Sequence, residues 1–282
     1  MSARYCVIGD PVEHSLSPAM HNAAFKALGI DASYEKRLVE PARLAAAIAQ
    51  LRALEIAGFN VTVPHKEAII ALLDHVEPAA RAIGAVNTIV RDDDRLIGCN
   101  TDAEGLAASL IEAGVTLKAA HVVIVGAGGA ARAAVVGLGR AGASTITIAA
   151  RRADRAETIA RELRDSAGVP AVGVDMQNGL RASLSTATLL VQATNATLHG
   201  NPDAAAFADS IPLDAMPRDA TVTDLVYRPL RTTLLSRADS LGLHTVDGLG
   251  MLLHQGAVAF SRWTGQPAPL DVMRNALVAA IG

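Results

Sequence analysis

Cysteine and aromatic residues are scarce: the 282 residues hold two cysteines, one tryptophan, three tyrosines and four phenylalanines. Two cysteines cannot build a disulfide framework, and Cys6 and Cys99 lack the paired C-x-x-C spacing of a zinc site. Each sits in an apolar, strand-like run, YCVIG or RLIGCN, which reads as a buried free thiol in a reducing compartment. With aromatics at 3% and hydrophobic residues at 51%, the core must be built from Ala, Val, Leu and Ile. Charge of one sign is also missing. The 25 Lys and Arg against 28 Asp and Glu give a net charge of -3, and no dense basic run is interleaved with aromatics. That argues against a nucleic-acid partner. No long apolar run is uninterrupted: HVVIVGAGGAARAAVVGLG carries glycines and an arginine, so it reads as a buried strand and helix rather than a membrane span. The opening MSARYCVIGD runs straight into a strand and lacks the pattern of a secretory signal. The expectation is a cytoplasmic protein, monomeric or homodimeric, whose partner is a small molecule.

Strand-like and helix-like segments alternate throughout, the pattern of an α/β protein with parallel strands. Tyr5 to Ile8 reads as a strand, and Ser17-Pro18 as a helix start, with Ser17 capping free amides and Pro18 at the first helical position. A helix is expected over 41–54, a strand over Gly58 to Val63 and a helix over 66–76. Val86 to Arg91 and Arg95 to Cys99 form a hairpin around the Asp92-Asp93-Asp94 turn, and Thr101 begins another helix. From His121 the order is strand, glycine turn, helix, strand; shorter strands follow near Thr188 to Gln192 and Thr221 to Leu225. Asn201 to Asp214 reads as a loop, and the chain from Gly248 onward as helical. These segments divide into a first domain over 1–104, rejoined by 248–282, and a doubly wound nucleotide-binding domain over 105–247.

The turn Gly126-Ala127-Gly128-Gly129-Ala130-Ala131 follows an apolar strand and opens a helix. One glycine makes the turn, another lets the backbone approach a pyrophosphate, and small Ala131 permits close helix–strand packing. The helix start offers unpaired amides and partial positive charge to the phosphates. At the end of the next strand, an NAD-binding chain carries an acidic residue for the ribose hydroxyls. Here the residues are Ala149-Ala150-Arg151-Arg152, with Arg155 further on. A guanidinium binds a 2′-phosphate through two parallel contacts that a carboxylate would repel. Cations are also poorly placed at that end of a helix unless an anion lies nearby. The cofactor indicated is NADP.

In the first domain, His14-Ser15-Leu16-Ser17-Pro18 places two hydroxyls at a helix start, where they could meet a carboxylate or, for Ser17, simply cap the helix. Gly58-Phe59-Asn60-Val61-Thr62-Val63-Pro64-His65-Lys66 leaves Thr62 and Lys66 at the mouth of a strand. Lys66 is a solvated surface lysine or, if shut in a cleft, a general acid–base. Asn87 lies at another strand entrance, and Asp102 reads equally as a helix cap or a site carboxylate.

Together the segments HSLSP, GFNVTVPHK, GAVNTI, GCNTDAEG, GAGGAAR, DLVYRP and DGLGMLLHQGAVAF, in this order, resemble the shikimate dehydrogenases. The resemblance spans essentially the whole chain. It implies an NADP-dependent oxidoreductase that reversibly reduces 3-dehydroshikimate to shikimate in the chorismate pathway to aromatic amino acids. A quinate/shikimate dehydrogenase of relaxed preference is the alternative. The resemblance assigns Ser15 and Ser17 to the substrate carboxylate with Tyr227 close by, and Thr62, Asn87, Asp102 and Gln255 to the ring hydroxyls. Lys66 paired with Asp102 becomes the catalytic group. Leu225 and Gly248 flank the nicotinamide, and Met251, one helical turn before Gln255, faces the same way. Gly126, Ala127, Gly128, Gly129 and Ala130 hold the pyrophosphate, and Ala150, Arg151, Arg152 and Arg155 the adenosine end. Two departures stand out: Ala150-Arg151-Arg152 replaces the usual Asn-Arg-Thr, and Gln192 stands where Asn is common.

Overall fold

The computed structural model describes residues 2–281, which fall into two compact units. The first runs up to Thr101 and resumes at Leu253; the second is Asp102–Leu252.

The first unit contains β1 (Ala3–Gly9), α1 (Ser17–Ala27), β2 (Ala32–Leu38), α2 (Leu44–Ala53), β3 (Gly58–Val61), β4 (His75–Val76), α3 (Pro78–Ile83), β5 (Thr88–Asp92) and β6 (Arg95–Cys99). The sheet order is β2-β1-β3-β5-β6-β4. Here β1 runs parallel to β2 and β3, whereas β5 is antiparallel to both β3 and β6. This sheet is therefore mixed. The hairpin is the cause: its tight turn reverses the chain at Asp93, whose φ of 52 an aspartate tolerates better than most residues.

Alternation along the strands sorts the core onto the sheet's two faces. Cys6, Ile8, Phe59, Val61 and Ile89 join α2 residues Leu44, Ile48 and Leu51 in one cluster. Burial pushes the Cys6 thiol up to about 12, which suits an inert core residue. On the other face Tyr5, His21, Phe25, Tyr34, Phe260 and Trp263 stack on one another. Gly58 makes room for that stack, since a Cβ there would lie 2.4 Å from the Trp263 indole nitrogen.

The second unit contains α4 (Asp102–Glu112), β7 (His121–Val125), α5 (Gly129–Arg140), β8 (Thr145–Ala150), α6 (Ala153–Ala167), β9 (Ala171–Asp175), α7 (Leu180–Leu184), β10 (Leu189–Gln192), α8 (Ala204–Ser210), β11 (Thr221–Asp224), α9 (Thr233–Ser240) and β12 (His244–Val246). The sheet is fully parallel, in the order β12-β11-β10-β7-β8-β9. Strand order reverses between β7 and β10, the crevice where open α/β sheets bind ligands. The chain ends with α10 (Leu249–Thr264) and α11 (Leu270–Ile281), and α11 packs on α1.

Residues 102–104 and 248–252 group with the second unit. The physical reason is close packing. A Cβ on Gly137 of α5 would sit 2.3 Å from the Ala103 carbonyl oxygen, and Gly250 abuts Ser109 of α4.

Two expectations fail. Residues 66–76 are a short 3-10 turn over Ala68–Leu72 followed by β4, not a helix. Tertiary bonds compete: the Lys66 carbonyl accepts from Val86 N, and the Asp74 amide donates to the Leu96 carbonyl. Asn201 to Asp214 is not a plain loop, because the alanine-rich stretch within it forms α8.

Candidate functional site

In the first unit the site residues sit on loops at strand ends. Gly9 ends β1 beside Thr62, close enough that a Cβ would lie 2.3 Å from the Thr62 methyl. The Thr62 amide donates to the Ile8 carbonyl (2.9 Å), and the Asp10 amide to the Val63 carbonyl (2.9 Å). Buried His65 holds the other side of this loop, its Nε2 2.6 Å from the Val39 carbonyl oxygen. A ring nitrogen against a carbonyl must be the protonated one. Lys66 follows, half-buried, and the amide of Val86 fixes its backbone (2.8 Å). The lysine loop and the strand entrance at Asn87 are thus tied together.

Ser17 does not cap α1; it is the helix's first residue, and Leu16 occupies the cap position. Its amide donates instead to the Ser15 hydroxyl (3.3 Å), whose Oγ also lies 3.2 Å from the Ser17 Oγ. Proline at the first turn removes one amide that would have needed a cap. Two adjacent hydroxyls at a helix start can serve a carboxylate.

Asn87 is the centre of a buried polar ladder. Its Nδ2 donates to Thr101 Oγ1 (2.9 Å) and lies 3.4 Å from Gln255 Oε1, while its Oδ1 accepts from the Thr101 amide (2.8 Å) and the Thr88 hydroxyl (3.0 Å). The ladder continues through Asn60 Nδ2 to Thr88 Oγ1 (2.9 Å), and the Tyr34 hydroxyl donates to Asn60 Oδ1 (2.6 Å). Buried amides with this many partners cannot rotate, so Asn87 presents a fixed pattern of donors and acceptors. Sequence reasoning missed Tyr34, Asn60, Thr88 and Thr101. The available signal was Asn60 itself, a polar residue in a four-residue strand that is otherwise apolar.

The second unit carries Asp102, buried as the first residue of α4, and the nucleotide-binding turn. Gly126 has φ 129, a conformation only glycine adopts without strain, and a Cβ there would crowd Thr194 and Ala193. Nothing lies within 4 Å of where a Cβ on Gly128 would be, and no side chain caps α5. The start of this 12-residue helix is therefore open to a phosphate. Ala127, Gly129 and Ala130 are half-buried around it.

β8 ends at buried Ala150; Arg151 and Arg152 follow, exposed, and Arg152 is the cap residue of α6, with half-buried Arg155 in its first turn. These three cations stand at the positive end of a helix whose first turn holds one acid, Asp154, so a net positive charge is left there for an anion. The turn and the arginines fit NADP. Leu225 and Tyr227 follow β11, half-buried. Buried Gly248 lies against the Leu225 backbone, where a Cβ would sit 2.6 Å from the carbonyl oxygen. Met251 and Gln255 are both buried on α10, the first grouped with the second unit and the other with the first.

A parallel six-stranded sheet with a glycine turn at its reversal point, in one chain with a unit carrying an ammonium, two hydroxyls and a rigid amide, is the build of a dinucleotide-dependent dehydrogenase. Three family profiles match: shikimate dehydrogenase substrate binding domain over residues 7–89, shikimate/quinate 5-dehydrogenase over 106–200, and shikimate 5'-dehydrogenase C-terminal domain over 248–278. The shikimate dehydrogenase (NADP(+)) of Symbiobacterium thermophilum is 47% identical over 98% of this chain and 93% of its own. The shikimate 5-dehydrogenase of Thermus thermophilus, solved with NADP(H) and shikimate, superposes with a TM-score of 0.85 at 39% identity over 99% of both chains. Quinate dehydrogenase from Corynebacterium glutamicum, solved with NAD, gives a TM-score of 0.87 at 31% identity over 99% of both. The chain belongs to the shikimate dehydrogenase family. Among the described residues no helix is long and apolar enough to cross a membrane.

Proposed function

We propose that this chain catalyses the reversible NADP-linked interconversion of 3-dehydroshikimate and shikimate, in the chorismate pathway to aromatic amino acids. The observation that carries the reading is the bond from the Val86 amide to the Lys66 carbonyl, which fixes the ammonium-bearing residue beside the Asn87 ladder. One group able to give or take a proton and one able to read ring hydroxyls thereby share a rigid frame.

NADPH, when bound, supplies hydride. The turn from Gly126 to Ala130 would hold its pyrophosphate, while Arg151, Arg152 and Arg155 would bind the 2′-phosphate, with Ala150 at the adenosine end. Leu225, Gly248 and Met251 would pack against the nicotinamide. Ser15 and Ser17 would bind the substrate carboxylate, helped by Tyr227, and Thr62, Asn87 and Gln255 would hold the ring hydroxyls. Lys66, working with Asp102, would stabilise the negative charge that grows on the carbonyl oxygen and deliver its proton. Positioned acid–base groups contribute about 10²–10⁴-fold to rate. Lys66→Ala should reduce turnover by about that factor while NADPH binding, followed by fluorescence titration, stays unchanged. Near-normal turnover in the variant would remove Lys66 from the mechanism.

A further inference from the structure

β10 and β11 end in two buried polar residues that the proposed chemistry does not use, Gln192 and Asp224. They are bonded to each other, with Gln192 Nε2 3.1 Å from Asp224 Oδ1. Each also ties down the loop that follows its own strand. Gln192 Oε1 accepts from the Thr194 amide (2.5 Å), and its Nε2 lies 3.0 Å from the Thr197 hydroxyl and 3.1 Å from the Thr194 carbonyl oxygen. Asp224 Oδ1 accepts from the Val226 amide (3.0 Å), and Oδ2 from the Thr232 hydroxyl at the cap of α9 (2.8 Å). Every one of these partners is uncharged. Burial pushes the carboxyl up to about 6, and the bonds from Val226, Thr232, Thr197 and Gln192 pull the other way.

The loops so fixed lie on the β10 side of the crevice, facing the glycine turn that follows β7. The first, at Ala193 and Thr194, packs on Gly126 of the nucleotide turn. The second, at Leu225 and Val226, packs on Gly248, and the His199 amide links the two by donating to the Arg228 carbonyl (2.9 Å). β10 borders the point where strand order reverses and β11 is the next strand out, so a dinucleotide that extends from the crevice toward β11 would pass over this backbone.

We infer that Gln192 and Asp224 are positioning residues for the nicotinamide half of the cofactor, setting through their mutual bond the two loops over which that half lies. The inference rests on the NADP reading given above. The adenosine half meets β8 and α6 instead, and does not depend on the pair. The two halves can therefore be tested separately. Adenosine 2′,5′-bisphosphate contains only the adenosine half, and its binding, with that of NADPH, can be titrated without turnover.

Asp224→Asn removes the charge and one of the two acceptor oxygens that the Val226 amide, Gln192 Nε2 and the Thr232 hydroxyl share. It should weaken NADPH by about tenfold or more, because the two loops must be ordered anew before the nicotinamide half can bind. The bisphosphate should bind within about twofold of wild type. Equal affinity of variant and wild type for NADPH would overturn the inference. Should Asp224→Asn lose both ligands, Gln192→Leu decides by the same comparison, because it deletes the amide without burying a new polar group. Loss of both ligands there as well would assign the pair to the unit's folding and refute the positioning role. A wild-type protein that binds neither ligand would instead defeat the NADP reading itself.

Discussion

Lowering the pH should weaken the first unit through His21. Its ring is fully buried on α1, stacked on Tyr34 with centroids 4.5 Å apart and lying 5.2 Å from Trp263. Neither ring nitrogen has a hydrogen-bond partner among the described residues. Burial therefore pushes its pKa down to about 3 from 6.5. In the unfolded chain the same ring takes up a proton near pH 6.5. Between those values the unfolded state binds one more proton than the folded state, so stability falls as the pH falls. The loss is about 1.4 kcal/mol for each pH unit, and the effect vanishes above about pH 6.5. Two units of acidification would remove roughly 3 kcal/mol, a large share of the roughly 5–15 kcal/mol that holds a typical domain together. Trp263, the chain's one tryptophan, lies in the same cluster and reports its unfolding. The assay is urea denaturation followed by tryptophan fluorescence between about pH 7 and about pH 4.5, comparing wild type with His21→Phe. Carboxylates contribute to both proteins and cancel in the difference. That difference should grow in favour of the variant by about 1.4 kcal/mol per pH unit below about pH 6.5. Stability curves that stay parallel across this range would refute the reasoning.

Arg151→Ala and Arg152→Ala should each raise the KM for NADPH by about 10- to 100-fold, the effect of a lost charged hydrogen bond. NADH, which lacks the 2′-phosphate, should be used as before, and steady-state kinetics with both cofactors checks this. Asn87→Ala removes the side-chain acceptor of the buried Thr101 amide and turns the Thr88 hydroxyl back on Thr101 Oγ1. It should cost about 2–4 kcal/mol of stability and raise the KM for shikimate, measured by denaturation and initial rates.

The nucleotide-binding unit was the more legible half. Its central strands β7 and β10 are nearly continuous apolar runs, its turn is marked by glycine, and the arginines after β8 stand in the one place where an acid would have meant NAD. Parallel strands buried on both faces write themselves plainly in sequence. The first unit was harder. β2 went unread because Glu35, Lys36 and Arg37 look like a solvated loop, yet an edge strand carries just such residues. The segment after Lys66 has the apolar content of a helix, and only pairing with β6 and Val86 prevents one. Ser17 resembled a cap, and what displaced it was the hydroxyl of Ser15, two residues back. Single residues such as Lys66 and Asp102 keep two readings each until the whole run of motifs is taken together. The Asn87 ladder and the Gln192–Asp224 pair were invisible for a simpler reason: each joins residues far apart in the chain, and no local pattern records a buried bond between strands.

The most direct test of the account is the initial rate of absorbance change at 340 nm with shikimate or quinate, each paired with NADP or NAD. Shikimate with NADP should give the highest kcat/KM of the four pairs, and NADP should exceed NAD by at least about tenfold, as one lost charged contact to the 2′-phosphate requires. Equal or better use of quinate, or of NAD, would contradict it.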